Sequence, residues 1–432
     1  MPADLPRKLG LLDSLAIVIG VIIGGGIFLV PNLVARSLPS IPAILGIWIF
    51  AGAVSFLGGL ACAELGAALP NTGGQYVFLR EAYGPFMGFL CGWSSFTVAR
   101  TAQISWLAVT LAIYVSYFVP LGAVASKVLG LAAIALFTWI NYRGVSAGAL
   151  AQKIFTSAKL AGLLLIIGSA FLLGGRAPVN EPAAAPPISL AAFGVALIAC
   201  LLAFDGWVQL SFVAGEIRDP KRNVLRALGL GIACVITVYL LANLAYLHVM
   251  SVREISLTEH VGAAAMERVL GPAGGKLISF IILLSIVGTL NGCILTIPRI
   301  YFAQASDGLF FRRFAEVHPR YRTPAFAIVL QGVWASILLL SGGYDSLIDY
   351  AMFSIWLLYG FMVAAVIILR RKRPDLPRPY RMWGYPVTPL LFVVIAAGFV
   401  GNTLIARPGP SLIALALMLT GAPVYWIWTR AR

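Results

Sequence analysis

The chain has 432 residues, 60% of them hydrophobic and 11% charged, with a mean hydropathy of +0.93. A soluble fold of this length has no use for so much apolar surface, whereas runs of about 20 apolar residues are what a helix needs to cross a bilayer. The formal net charge of +15 would suit nucleic acid only as one patch; the basic residues are instead spread over many short loops, which excludes that class.

Taken in chain order, apolar runs between charged or Pro/Gly-rich punctuation predict about twelve spans. They cover roughly 11–35, 42–68, 86–118, 124–141, 155–174, 189–214, 226–250, 273–304, 324–341, 346–370, 386–406 and 410–428. The opening MPADLPRKLGLLD is polar and short, and no small-residue cleavage site follows, so the first run reads as a retained helix rather than a signal peptide. The third and eighth runs are long enough to require tilt. Tyr76–Gly84 (YVFLREAYG) is amphipathic and too short to cross, and reads as an interfacial helix at the cytoplasmic face. The Pro/Ala-rich Ala177–Pro187 is expected to be an external loop that separates two sets of five spans. The expected organisation is one membrane domain: a first set over about 11–174, a second over about 189–370, and two extra helices over about 386–428.

With the N-terminus inside, the internal segments carry 21 Lys and Arg against 7 outside. That bias predicts both termini in the cytoplasm. The five cysteines (62, 91, 200, 234 and 293) all fall in apolar runs without CxxC or Cys/His spacing, so neither a metal nor a cofactor is expected. His248, His260 and His318 lie at span ends or in loops, away from any candidate site.

Two runs are interrupted. Span one reads VIIGGGIFLVP over Val21–Pro31, and each glycine weakens a helix by about 1 kcal/mol relative to alanine. Span six carries Asp205-Gly206 in its middle, where a carboxylate costs roughly 2.5–3.5 kcal/mol unless it faces water, a partner or the interior. Breaks at matching positions of two five-span sets point to a secondary transporter. Unwinding would free the N–H groups of Gly25 and Gly26 at the positive end of a half-helix, a site for a carboxylate. The carbonyls of Ile22 and Ile23, and those from Leu202 to Asp205, would lie at negative ends and suit an ammonium. Read alone, Gly24–Gly26 would equally serve as a close-packing surface.

The motifs IIGGGIF and FDGW with FVAGEIRDPKRN resemble the L-type amino acid transporter family of the amino acid–polyamine–organocation superfamily, as a prokaryotic member. So do Cys62–Pro85, Asn141–Leu160, Val287–Gly308 and His318–Ala327. The resemblance implies an all-α polytopic membrane protein with a LeuT-like five-plus-five inverted repeat and two C-terminal helices. It implies sodium-independent transport of mainly neutral L-amino acids, by exchange with rocking-bundle alternating access. It assigns the carboxylate to Gly25 and Gly26 and the amine to Ile22, Leu202 and Asp205. Trp207 is similar to a gating aromatic, and Trp356 in MFSIWLL to a side-chain-pocket tryptophan. Two departures stand out: Gly25 where the family has Ser, and Thr101 where Pro follows the arginine. The loop Val119–Lys127 has no cysteine, which excludes a disulfide-linked heavy chain through it and makes a monomer the expectation.

Lys159 reads on position as a lysine snorkelling to the interface; the resemblance makes it a tether on span one that stands in for a sodium ion. Asp205 is read as a cap on the second half of span six, or as an attractor of cationic side chains. Arg100 is expected to pair inside, Glu64 and Glu216 to meet basic residues, and Asn291 to serve either a helix–helix bond or the pocket. The alternative function is a proton-coupled amino acid or amine symporter. An intramembrane enzyme lacks a nucleophile–base pair or metal cluster, and a channel lacks a repeated polar face. The expected location is a prokaryotic inner membrane.

Overall fold

The computed structural model describes residues 5–116, 118–175, 188–341 and 344–430; the expected external loop Ala177–Pro187 lies outside them. No strand occurs among the described residues, only an isolated bridge in which Leu9 N–H donates to the Glu216 carbonyl at 3.0 Å and Arg218 N–H to the Leu9 carbonyl at 2.8 Å. Ten helices among those residues are long and apolar enough to cross a membrane, from Leu11–Ser37 to Pro408–Arg430. The shorter Leu190–Ala203 and Ala325–Ser341 occupy positions six and nine. Gln75–Tyr83 forms the short helix expected between spans two and three.

Span five begins at Val145 rather than near 155. Its first turns are polar because they face span one: Thr156 Oγ1 donates to the Ala16 carbonyl at 3.0 Å, and Lys153 pairs with Asp13 at 2.9 Å. A hydropathy reading discards such a segment, since its polar atoms are satisfied only by a neighbour distant in sequence.

Members of the first set pack on their counterparts in the second. Span two lies along span seven (Pro220–Val249), three on eight, four on nine, and the second half of span one on the first half of span six. Span three carries a widened turn at Ser95–Ala99, where Thr101 Oγ1 donates to the Phe96 carbonyl at 2.7 Å. A proline at 101 could also sit there, since such a turn already disturbs the local ladder.

Two buried ion pairs fix the ends of the spans. Arg299 grips Glu216 through Nε at 2.7 Å, with both side chains fully buried. Glu64 accepts from Arg370 Nε at 2.8 Å and from the Met382 N–H at 2.7 Å, which ties span two to span ten and to the segment after it. Removing one partner of a buried pair costs about 3–5 kcal/mol, whereas replacing both with apolar residues is often neutral. Glu216→Ala is therefore expected to lower the melting temperature of detergent-purified protein sharply. The double variant Glu216→Leu/Arg299→Met should recover most of that loss.

Candidate functional site

The first half of span one, Leu11–Ile22, ends where Ile23 leaves helical geometry (φ −72°, ψ 89°), and the second half starts at Gly26. Span six breaks after Ala203, and a short helix resumes at Gln209–Phe212. The two breaks touch. A Cβ on Gly26 would stand 2.9 Å from Ala203 Cα. Gly206 has φ +124°, and a Cβ there would meet Val21 Cγ1 at 2.7 Å. Only glycine permits that approach and that backbone.

The carbonyls freed in span one are mostly occupied. The Lys159 Nζ donates to the carbonyls of Gly20 at 2.8 Å, Ile23 at 2.6 Å and Ser285 at 2.9 Å. Ser285 Oγ donates to the Ile23 and Gly24 carbonyls, each at 3.0 Å. Lys159 is fully buried fifteen residues into its helix, which rules out snorkelling. The expectation that Ile23 offers a free carbonyl is likewise corrected: an ammonium and a hydroxyl already fill it. Ile22 is similar, its carbonyl accepting from Gly24 N–H at 2.8 Å and from Tyr239 Oη at 3.1 Å. Tyr239 Oη also lies 3.1 Å from the Ala203 carbonyl, so one phenol on span seven spans both breaks.

What remains open is complementary. Among the described residues no acceptor is bonded to the N–H groups of Gly25, Gly26 or Ile27. Gly25 and Gly26 are half-exposed in an otherwise buried stretch. A Cβ on Gly25 would meet only Ile286 Cγ1, at 3.8 Å. On span six the carbonyls of Phe204 and Asp205 accept no bond among the described residues, while that of Leu202 takes the Asp205 N–H at 3.3 Å. The amine acceptors thus shift from span one to span six. Unpartnered donors at a helix N-terminus and unpartnered carbonyls on the adjoining broken segment are the two polarities that a zwitterion needs.

Asp205 does not cap: no side chain caps Gln209–Phe212. Its carboxylate instead accepts from Tyr359 Oη on span ten at 2.7 Å and from Gln103 Nε2 on span three at 3.1 Å. Arg100, fully buried, donates to Gln103 Oε1 at 3.2 Å and stacks near Phe212 and Tyr359. The mid-membrane charge on Asp205 is therefore balanced through two intermediaries rather than by direct contact. Trp207 lies at the span-six break, its ring 4.7 Å from Tyr359. Trp356 is one ring removed from the span-six break, meeting edge-on at 5.8 Å the Tyr359 that packs on Trp207. It stacks on Phe399 at 4.6 Å and Phe392 at 5.9 Å, on the side of span ten that faces span eleven. Asn291 makes helix–helix bonds, donating to Gly148 and Gln152 and accepting from Asn141.

Tyr239, Ser285, Gln103 and Tyr359 escape the sequence reading; the available signal was a hydroxyl or amide within an apolar run. The glycines are expected to respond unequally. Gly25→Ser should fold and bind with little change, whereas Gly26→Ala should destabilise by about 1–3 kcal/mol through overpacking and weaken binding more than tenfold. Melting curves and equilibrium binding on the purified variants check both.

A family model described as amino acid permease matches residues 9–425. The serine/threonine exchanger SteT of Bacillus subtilis (strain 168) is 35% identical over 98% of this chain and 97% of its own length. The human b(0,+)-type amino acid transporter 1 is 31% identical over 98% of this chain and 88% of its own. The human large neutral amino acids transporter small subunit 2 is 32% identical over 98% and 80%. These relatives are transporters, not enzymes, and like them this chain is an integral membrane protein. With the match running through both breaks and nearly every span, the chain belongs to the amino acid permease family.

Proposed function

We propose that the protein exchanges mainly neutral L-amino acids across a prokaryotic inner membrane, independently of sodium, as a monomer with both termini in the cytoplasm. The observation that carries the reading is that N–H groups at Gly25–Ile27 and carbonyls at Phe204 and Asp205 are left without partners on two broken helices that touch. The serine/threonine exchanger among its relatives favours small neutral substrates. The half-exposed Gly25 leaves room beside Ile286 for a short side chain.

Sodium independence rests on Lys159. Its ammonium already sits among the carbonyls of Gly20, Ile23 and Ser285, where a bound cation would otherwise neutralise the end of a half-helix. Trp207, wedged between the span-six break and Tyr359, is the side chain placed to gate the site as span six moves. Asp205, held by Tyr359 and Gln103, gives a cationic side chain no free carboxylate, which supports neutral over cationic selectivity. The loop Val119–Lys127 lacks a cysteine, which supports function without a disulfide-linked heavy chain.

Purified protein in liposomes tests this. Labelled serine, alanine, leucine and arginine are offered with sodium absent and pH equal on both sides. Uptake of serine and alanine is expected only into vesicles preloaded with unlabelled amino acid. Uptake into empty vesicles under an imposed proton gradient would establish the symporter instead. Lys159→Ala removes the ammonium shared by the Gly20, Ile23 and Ser285 carbonyls and leaves them only the hydroxyls of Ser285 and Thr289 as side-chain donors; a hydrogen bond to a charged group is worth about 1.5–3 kcal/mol. Exchange by that variant is expected to fall at least a hundredfold, with no rescue by added sodium.

A further inference from the structure

A groove of roughly 770 Å³ opens on the membrane face between spans three, nine and twelve. Its walls are apolar, formed by Phe96, Leu330, Trp334, Leu338 and Leu417, and its mouth carries Arg312 and Arg313. The indole N–H groups around it are already spent within the protein: Trp93 donates to Thr420 Oγ1 at 3.0 Å and Trp334 to the Thr97 carbonyl at 3.1 Å. The groove therefore offers hydrocarbon contact along its length and charge only at one end.

Phe326, Leu330, Trp334 and Leu338 recur every four residues along span nine, so this stripe runs about 18 Å at 1.5 Å per residue. One leaflet of hydrocarbon is about half of a 30 Å core, so the stripe matches the depth of a single acyl layer. Arg312 and Arg313 sit in a short 3₁₀ turn at the start of that stripe. Both are exposed, and neither side chain has a hydrogen bond or ion pair among the described residues; Glu316, nearby in sequence, pairs with neither. Eight spans precede them, which puts them on the same side as the N-terminus. Two free guanidinium groups beside the first turn of span nine suit a phosphate, which arginine grips in bidentate fashion.

We propose that this groove is a specific site for an anionic phospholipid, its acyl chain along the span-nine stripe and its phosphate on Arg312 and Arg313. The proposal concerns a surface remote from the two breaks and does not depend on which amino acid is carried.

Native mass spectrometry of the detergent-purified protein, titrated with phosphatidylglycerol or phosphatidylethanolamine of the same acyl chains, tests it. Phosphatidylglycerol is expected to be retained at least tenfold more than phosphatidylethanolamine, with inorganic phosphate at millimolar concentration failing to compete. Arg312→Gln/Arg313→Gln should abolish that preference, and Leu330→Trp, which fills the groove while keeping the charges, should lower retention of both lipids. Melting curves confirm that each variant is folded. Equal retention of the two lipids by the native protein, an unchanged preference in the double arginine variant, competition by free phosphate alone, or a dimer that closes the groove would overturn the site.

Discussion

The interaction on which the rest depends is one ammonium beneath a broken helix. Three consecutive glycines end the helical ladder of span one beside buried carbonyls, each of which is costly to leave unpaired. Lys159 gathers the carbonyls of Gly20, Ile23 and Ser285 around a single charge, and Ser285 adds its hydroxyl. A lysine buried this deeply is tolerated because the negative end of a half-helix and three carbonyls surround it. The break is thus held open in a defined shape rather than merely weakened. With most of its negative end occupied, its unmet bonding capacity lies chiefly at the positive end, at Gly25–Ile27.

Coupling to span six follows from contact and from a shared donor. Gly26 and Gly206 let the two broken segments meet backbone to backbone, and Tyr239 bonds a carbonyl on each. Asp205, next in sequence to that junction, is anchored by Tyr359 and Gln103, with Arg100 behind them. A displacement of span six therefore has to repack a buried charge network as well as the aromatic contact between Trp207 and Tyr359. Packed interiors of this kind exchange between discrete arrangements rather than deform smoothly, which is what alternating access at a fixed site requires.

Much of the fold and the positions of the two helix breaks were legible because their signals are local. Twelve apolar runs, the glycine triplet and a carboxylate beside a glycine are visible without knowing any contact. The occupancy of each carbonyl was not legible: Ile22 and Ile23 sit at the right helix end, yet their lone pairs are claimed by Tyr239, Lys159 and Ser285, up to 262 positions away. Span five started early for the same reason, its polar residues being paid by partners in span one. The partners of the Asp205 side chain and of Trp356 were not legible either. Span ten is apolar on most faces around Trp356, so periodicity does not say that the indole turns toward Phe392 and Phe399. The Asp205 carboxylate accepts from Gln103 on span three and Tyr359 on span ten, which no local capping pattern indicates.

The proposed exchange requires a substrate carboxylate on the open amides of Gly25, Gly26 and Ile27. Isothermal titration of purified protein with L-serine and with L-serinamide, which keeps the amine and side chain but lacks the charged carboxylate, tests it most directly. Serine is expected to bind and serinamide to bind at least a hundredfold more weakly. Equal affinity for the two would contradict the assignment and leave the open amides of span one without a ligand.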